Sequence, residues 1–160
     1  MSVTTRLRQE DVIAFLMDFE SKILLSTLSP KIDVRYEVLE VKSPHHTVVF
    51  MEKKTEPLKN RTWLLSLVWK KILDAPPTYI WVAAPRDQHP KIAHADEAHA
   101  IRAVGTRCVR CVLDLDGTST RLEYACALDM GGHLPQWLVE SIAVPKLMRY
   151  GSTFDSPWTR

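Results

Sequence analysis

Apolar residues first recur along the chain with a helical period. Val12, Phe15, Leu16, Phe19 and Ile23 stand at i, i+3, i+4, i+7 and i+11, which gathers them on one side of an amphipathic helix predicted over 8–26. Glu10 and Asp11 fall in its first turn, where negative charge suits the helix dipole, and Ser29-Pro30 stops it. From residue 33 the period drops to two. Val34, Tyr36 and Val38 face away from Arg35 and Glu37 in a strand over 33–42, and Ser43-Pro44-His45-His46 turns the chain into a partner strand over 47–54. A third run, 61–71, sets Trp63, Leu65, Leu67 and Trp69 against Thr62, Leu64, Ser66 and Val68. Pro76-Pro77 breaks that run, and 78–84 is the next strand.

Residues 85–98 are polar, with clustered charges, and read as a long loop. The stretches 101–115 and 120–129 form a hairpin around Asp116-Gly117, a strong turn pair. Gly131-Gly132 ends the sheet, and a last helix is predicted over 134–150, opened by Pro135 and kinked by Pro145. Helix, about six strands, helix is an α+β order, with the helices on one face of a curved antiparallel sheet. The strand connections are too short for the crossover helices of a parallel sheet. The strands at 61–71 and 78–84 are apolar on both sides, whereas a sheet with one solvated face alternates cleanly. Either something covers both faces, or one face lines a cavity.

Composition narrows the class. A chain of 160 residues fits one domain and can bury a core without a metal or disulfide staple. Its 21 Lys and Arg against 19 Asp and Glu are balanced and scattered, which argues against a nucleic-acid partner. No apolar signal core opens the sequence, and the most apolar stretch, 63–69, is far shorter than the about 20 residues of a membrane span. Three cysteines without a framework spacing read as reduced thiols, so the expected setting is cytoplasmic.

Candidate chemistry is sparse. Cys108 and Cys111 have a C-x-x-C spacing, but on a strand they point to opposite faces, and a redox pair belongs at a helix N-terminus. Cys111 and Cys126 read as core residues. His89, His94 and His99 share no strand or helix face and match no zinc spacing, so no metal and no cofactor is expected. The chain has no G-x-S-x-G, H-E-x-x-H, P-loop or G-x-G-x-x-G, and no acid–base pair stands out. An enzyme is not expected.

One block is more specific. Leu128-Asp129-Met130-Gly131-Gly132-His133-Leu134-Pro135-Gln136-Trp137-Leu138-Val139-Glu140 resembles the signature of the START (StAR-related lipid transfer) family: a strand ending in Asp, a glycine corner, and an aliphatic-Pro pair opening the last helix. Lys59-Asn60-Arg61-Thr62-Trp63 is similar to that family's Arg-Asp-aromatic element, with Thr62 in place of Asp. Ala100-Ile101-Arg102-Ala103 resembles the short strand after its long loop, and Glu37-Val38-Leu39-Glu40 its first strand after the helices. The similarity covers residues 10–151 of a single domain over 1–160, with 152–160 as a tail, and lacks the family's N-terminal helix and first strands.

The resemblance implies a helix-grip fold (START/Bet v 1-like), in which a curved antiparallel sheet wraps a long C-terminal helix around an apolar tunnel. A lipid or sterol-like molecule is the implied ligand. The implied wall is Phe50, Trp63, Leu65, Leu67, Trp81, Val109, Cys111, Leu113, Tyr124, Leu134, Leu138 and Ile142, with Ser66, Arg102, Arg110 and His133 as candidate polar contacts. The last helix would be a lid, with Met148 also facing the ligand and Trp137 and Val144 flanking. Transient membrane contact follows from such a role. The missing strands would expose a sheet edge, through which a homo-oligomer could form. Two alternatives stay open: an interaction module on the same fold with a filled cavity, and a helix-grip enzyme of the cyclase or hydrolase kind.

Overall fold

The computed structural model describes residues 2–18, 33–56, 58–92, 100–114, 117–135, 137–138 and 140–141. In chain order they form β1 (Ser2–Thr5), α1 (Gln9–Met17), β2 (Asp33–Ser43), β3 (His46–Thr55), β4 (Leu58–Asp74), β5 (Pro77–Pro85), β6 (Ala100–Arg102), β7 (Val104–Leu113) and β8 (Thr120–Asp129). One 8-stranded sheet runs in the order β1-β8-β7-β5-β4-β3-β2, with β6 beside β4 off that path. All pairings are antiparallel except β4 with β6.

The alternation in the sequence places the meander β2 to β5 and the hairpin of β7 and β8. Two strands escape it. β1 is short and polar, so it carries no alternation, and it is set against β8 only by pairing, with Val3 opposite Leu122. The expected strand at 101–115 is two strands. β5 leaves β4 where Pro85 faces Leu65, and β6 takes the vacated side, with Asn60 to Thr62 opposite Ala100 to Arg102. Ala103 then caps the exchange by donating its N–H to Thr62 O (2.9 Å), and β7 begins at Val104. Eight strands therefore replace about six.

Helix α1 ends earlier than the periodicity suggests. The Asp18 N–H bonds Ala14 O at 2.9 Å, and Asp18 has left helical geometry. Phe19 and Ile23 lie outside the described residues. The buried face is Gln9, Val12, Ile13 and Leu16, and Phe15 is half-buried. Gln9 fixes the helix to the sheet: its Nε2 donates to Pro77 O (2.7 Å) and Cys111 O (3.0 Å). Of the last helix, Trp137, Leu138, Glu140 and Ser141 are helical, with Leu138 N–H bonded to Pro135 O at 3.0 Å. The length beyond them is outside the described residues.

The double apolarity of β4 has a structural reason. Its inner face joins α1 in the main core, with Val49 and Met51 of β3 opposite Leu65 and Trp63. Its outer face carries a smaller core of Leu39, Val48, Phe50 and Leu64, against which Ile92 packs. The chain after β5, expected to be a solvated loop, folds back under the sheet there. Arg86 N–H bonds Leu64 O (2.9 Å), Lys91 Nζ donates to Leu39 O (2.7 Å), and His89 is buried with Nε2 3.8 Å from Glu40. Part of each face is thus covered.

Candidate ligand-binding face

Strand register assembles the inner face. Trp69 of β4 stands opposite Trp81 of β5, Trp81 opposite Val109 of β7, and Val109 opposite Tyr124 of β8. Since side chains alternate, Trp63, Leu65 and Leu67 share the side of Trp69, and Cys111 shares that of Val109. Trp63, Leu65, Leu67, Trp81, Val109 and Cys111 are buried in one cluster with Val12, Ile13 and Leu16 of α1. Tyr124 and Leu134 are partly buried against it. Leu113 has the same parity at the far end of β7 and is half-buried.

Other expected wall and contact residues lie elsewhere. Phe50 is on the outer face with Leu64, because Val49 and Met51 occupy the inward positions of β3. Ser66, opposite Val48, also faces outward. Arg110 faces outward opposite Ile80 and pairs with Glu123 at 2.9 Å. Arg102 gives its NH2 to Arg86 O at the β6 edge. His133 is exposed past the glycine corner, Leu138 is half-buried, and Ile142 lies outside the described residues. Trp137 is 68% exposed. Alternation names residues that share a face; it does not name the side on which α1 will land.

Two polar residues of this core escaped the sequence reading. Gln9 is one. The other is Arg61, 1% exposed, which has the parity of Trp63 and so points inward; that parity was the available signal. Its Nε donates to Met130 O at 2.7 Å and its NH1 to Lys59 O, and no carboxylate pairs with it among the described residues. Burial holds its pKa below the ordinary arginine value. The Cys111 thiol is pushed up to about 12 by burial, with a smaller contribution from Cys108, and burial also raises Cys108. Burial thus disfavours both thiolates, that of Cys111 strongly.

Tryptophans on this face differ in one respect. Trp69, at the rim, donates its Nε1–H to Pro44 O at 3.0 Å and packs edge-on to His45 with ring centroids 4.3 Å apart. Trp63 and Trp81 are 4% and 5% exposed, and neither Nε1–H has an acceptor among the described residues. Among those residues, no three His, Cys, Asp or Glu side chains are grouped as metal ligands. No helix there is long and apolar enough to cross a membrane. The face offers apolar contact and a few donors.

No protein-family model matches the chain, and no curated protein matches it. Solved structures do. The human StarD13 (DLC2) lipid transfer and protein localization domain superposes with a TM-score of 0.74 at 16% identity, over 98% of this chain and 76% of that one. Human STARD10 gives 0.74 at 20% identity, over 98% of this chain. The chain has a START fold. A StAR-related lipid transfer protein fragment from Xanthomonas axonopodis gives 0.69 at 16% identity, over 97% of this chain and 84% of that one. The START fold here spans 62% of the STARD10 chain, less than two thirds of its length.

Proposed function

We propose that this protein binds a lipid or similar hydrophobic molecule on the inner face of its START-fold sheet and carries it without chemical change. The observation that supports this best is the run of apolar side chains across β4, β5, β7 and β8, from Trp63 to Tyr124, on one face. A hydrocarbon chain laid on such a face gains about 0.8 kcal/mol per buried CH2, or about 12 kcal/mol for roughly 16 carbons before ordering costs. Two structural neighbours are named for lipid transfer, which points the same way. Leu134, ahead of the last helix, and Leu138, within it, would help close the site, joined by Ile142 if the helix runs on as the sequence predicts.

The sheet edges favour this reading over a module that recruits a partner strand. The β1 edge is short, and the β2 edge has three register shifts and carries Arg35, Glu37, Glu40 and Lys42, all of which discourage edge pairing. Exchange with a bilayer would use the β4–β5 hairpin end. There Ile72 and Leu73 are 43% and 48% exposed beside the exposed Lys70, while Lys71 is held by Asp74 at 2.8 Å, and the pairing of aliphatic groups with the Lys70 cation suits an anionic phospholipid surface.

Native mass spectrometry of the purified protein, followed by organic extraction, tests the reading. A stoichiometric co-purified lipid, or one taken up from liposomes, is the expected result. An apo mass that persists after incubation with liposomes of mixed phospholipid, sterol and diacylglycerol would sink it.

A further inference from the structure

His89 is a buried titratable group on the opposite side of the sheet from the proposed ligand. It belongs to the chain that returns under the sheet after β5, across the outer core of Leu39, Val48, Phe50 and Leu64. Hydrogen bonds hold this strap in place. Arg86 N–H donates to Leu64 O (2.9 Å), Lys91 Nζ to Leu39 O (2.7 Å) and Ile92 N–H to His89 O (3.0 Å). Within it, Lys91 N–H donates to His89 Nδ1 at 3.2 Å. Ile92 is the strap's apolar contact with the outer core.

The bond to Nδ1 fixes where the imidazole carries its proton. A backbone N–H can only donate, so Nδ1 presents a lone pair, and the proton of the neutral ring is on Nε2, facing Glu40 Oε2 at 3.8 Å. A second proton goes to Nδ1. Both ring nitrogens are then donors, Nδ1–H is set against Lys91 N–H, and the charge sits on a side chain only 7% exposed. Glu40 offsets part of this. Its side chain is 45% exposed and also stands 3.9 Å from Lys42 Nζ, so its attraction is that of a solvent-screened surface pair. The other charged or titratable groups around the strap are Arg86, Asp87 and Lys91 within it, Arg102 of β6, which donates to Arg86 O, the Arg35–Glu37 pair of β2, and His46 of β3, one outward position beyond Val48.

We propose that residues 85–92 form a proton-released strap: protonation of His89 breaks its bond to Lys91 N–H and frees the strap from the outer core, baring Leu39, Val48, Phe50 and Leu64. In the docked strap the added proton removes a bond. In the released strap water serves both ring nitrogens, and nothing is lost. Acid therefore favours release, because the released form accommodates the additional proton at lower cost. At neutral pH the strap stays down and this second apolar surface is covered. The device does not depend on what the inner face binds.

Hydrogen exchange followed by NMR between pH 7.5 and 5.5, within the range where histidine side chains change charge, tests it. After correction for the intrinsic pH dependence of exchange, protection of the Arg86 and Ile92 amides is expected to fall about tenfold over that range, while that of Val109 in the middle of the sheet holds within about twofold. His89→Gln can still accept the Lys91 N–H through its amide oxygen but takes no proton, and should make the protection independent of pH. His46→Gln should leave the parent's fall in place. Glu40→Gln, a substitution on an exposed side chain, removes the attraction that opposes release and should move the fall to higher pH. Protection that stays flat in the parent, or that falls equally in His89→Gln, overturns the proposal. So does a fall moved to lower pH in Glu40→Gln, which would make the carboxylate a cause of release and not its opponent.

Discussion

Arg61 Nε donates to Met130 O at 2.7 Å, joining strand β4 to the residue that follows β8 across 69 positions of sequence. The guanidinium thereby satisfies a carbonyl at the start of the glycine corner from which the last helix departs. A buried arginine without a carboxylate is an expensive way to do this, because the charge must be stripped of water. Its fork reaches the two carbonyls from two separate nitrogens, Nε and NH1, whereas a lysine would have to reach both from one ammonium.

Replacing Arg61 should therefore be costly in proportion to the bonds lost. Arg61→Ala is expected to lower the unfolding free energy by about 3 kcal/mol, through two orphaned carbonyls and an unfilled volume. Arg61→Lys should lose about 2 kcal/mol, since one carbonyl stays unserved. Urea denaturation with an unchanged m-value measures both. A loss under 0.5 kcal/mol for the alanine variant would show that water serves these carbonyls as well.

The corner itself depends on glycine at one position more than at its neighbour. Gly131 and Gly132 have φ of 66° and 64°, but only at Gly131 would a Cβ meet backbone, at Arg102 O, with Ile101 Cγ2 also 3.0 Å away. At Gly132 the nearest atom would be the movable Ile101 Cδ1 at 3.3 Å. Gly131→Ala should cost about 3 kcal/mol and Gly132→Ala about 1 kcal/mol, compared by thermal unfolding. Equal losses would place the whole effect in the backbone angle.

Cys111 provides a pH signature. The denatured chain releases the thiol proton near the ordinary 9.0 and the folded chain only at about 12. Folding therefore holds a proton that the unfolded chain gives up, and stability falls as pH rises from about 9 towards 12, with no contribution below that window. The Cys111→Ala variant should show a shallower alkaline decline than the parent. At pH 8 a thiol reagent should leave Cys111 unmodified until denaturant is added; prompt labelling in the folded state would contradict its burial.

At the β4–β5 hairpin end, Ile72→Ser with Leu73→Ser should reduce co-sedimentation with anionic phospholipid vesicles about tenfold, the loss of two shallow aliphatic insertions. Lys70→Glu should weaken anionic vesicle binding and leave zwitterionic vesicle binding unchanged. Vesicle binding indifferent to all three changes would move the membrane contact to another surface.

Much of the architecture was legible because the determinants are local. Alternation at 33–42 and 120–129 and the apolar run at 61–71 required strands, Pro76-Pro77 required a break, and the period of Val12, Phe15 and Leu16 required a helix there. The family resemblance at Ala100–Ala103 implied a short strand there, but its parallel pairing with β4, the brief polar β1 and the return of Ile92 under the sheet were illegible. Their positions are set by hydrogen bonds and contacts with distant strands, and such pairings impose no periodicity on the residues that make them.

The division is the same at the candidate site. The sequence by itself determined that Trp63, Leu65 and Leu67 share a face, and that Val109 and Cys111 share another on their own strand, because a two-residue period is built into extended backbone. Only the tertiary structure decided that these faces are one face, that α1 lies on it while Phe50, Ser66 and Arg110 lie behind it, and that Arg61 finds carbonyls while Trp63 and Trp81 find none. Periodicity sorts a strand's side chains into two sets, but which set is buried under the helix, and which polar atoms meet a partner there, depends on how strands far apart in sequence are brought into register.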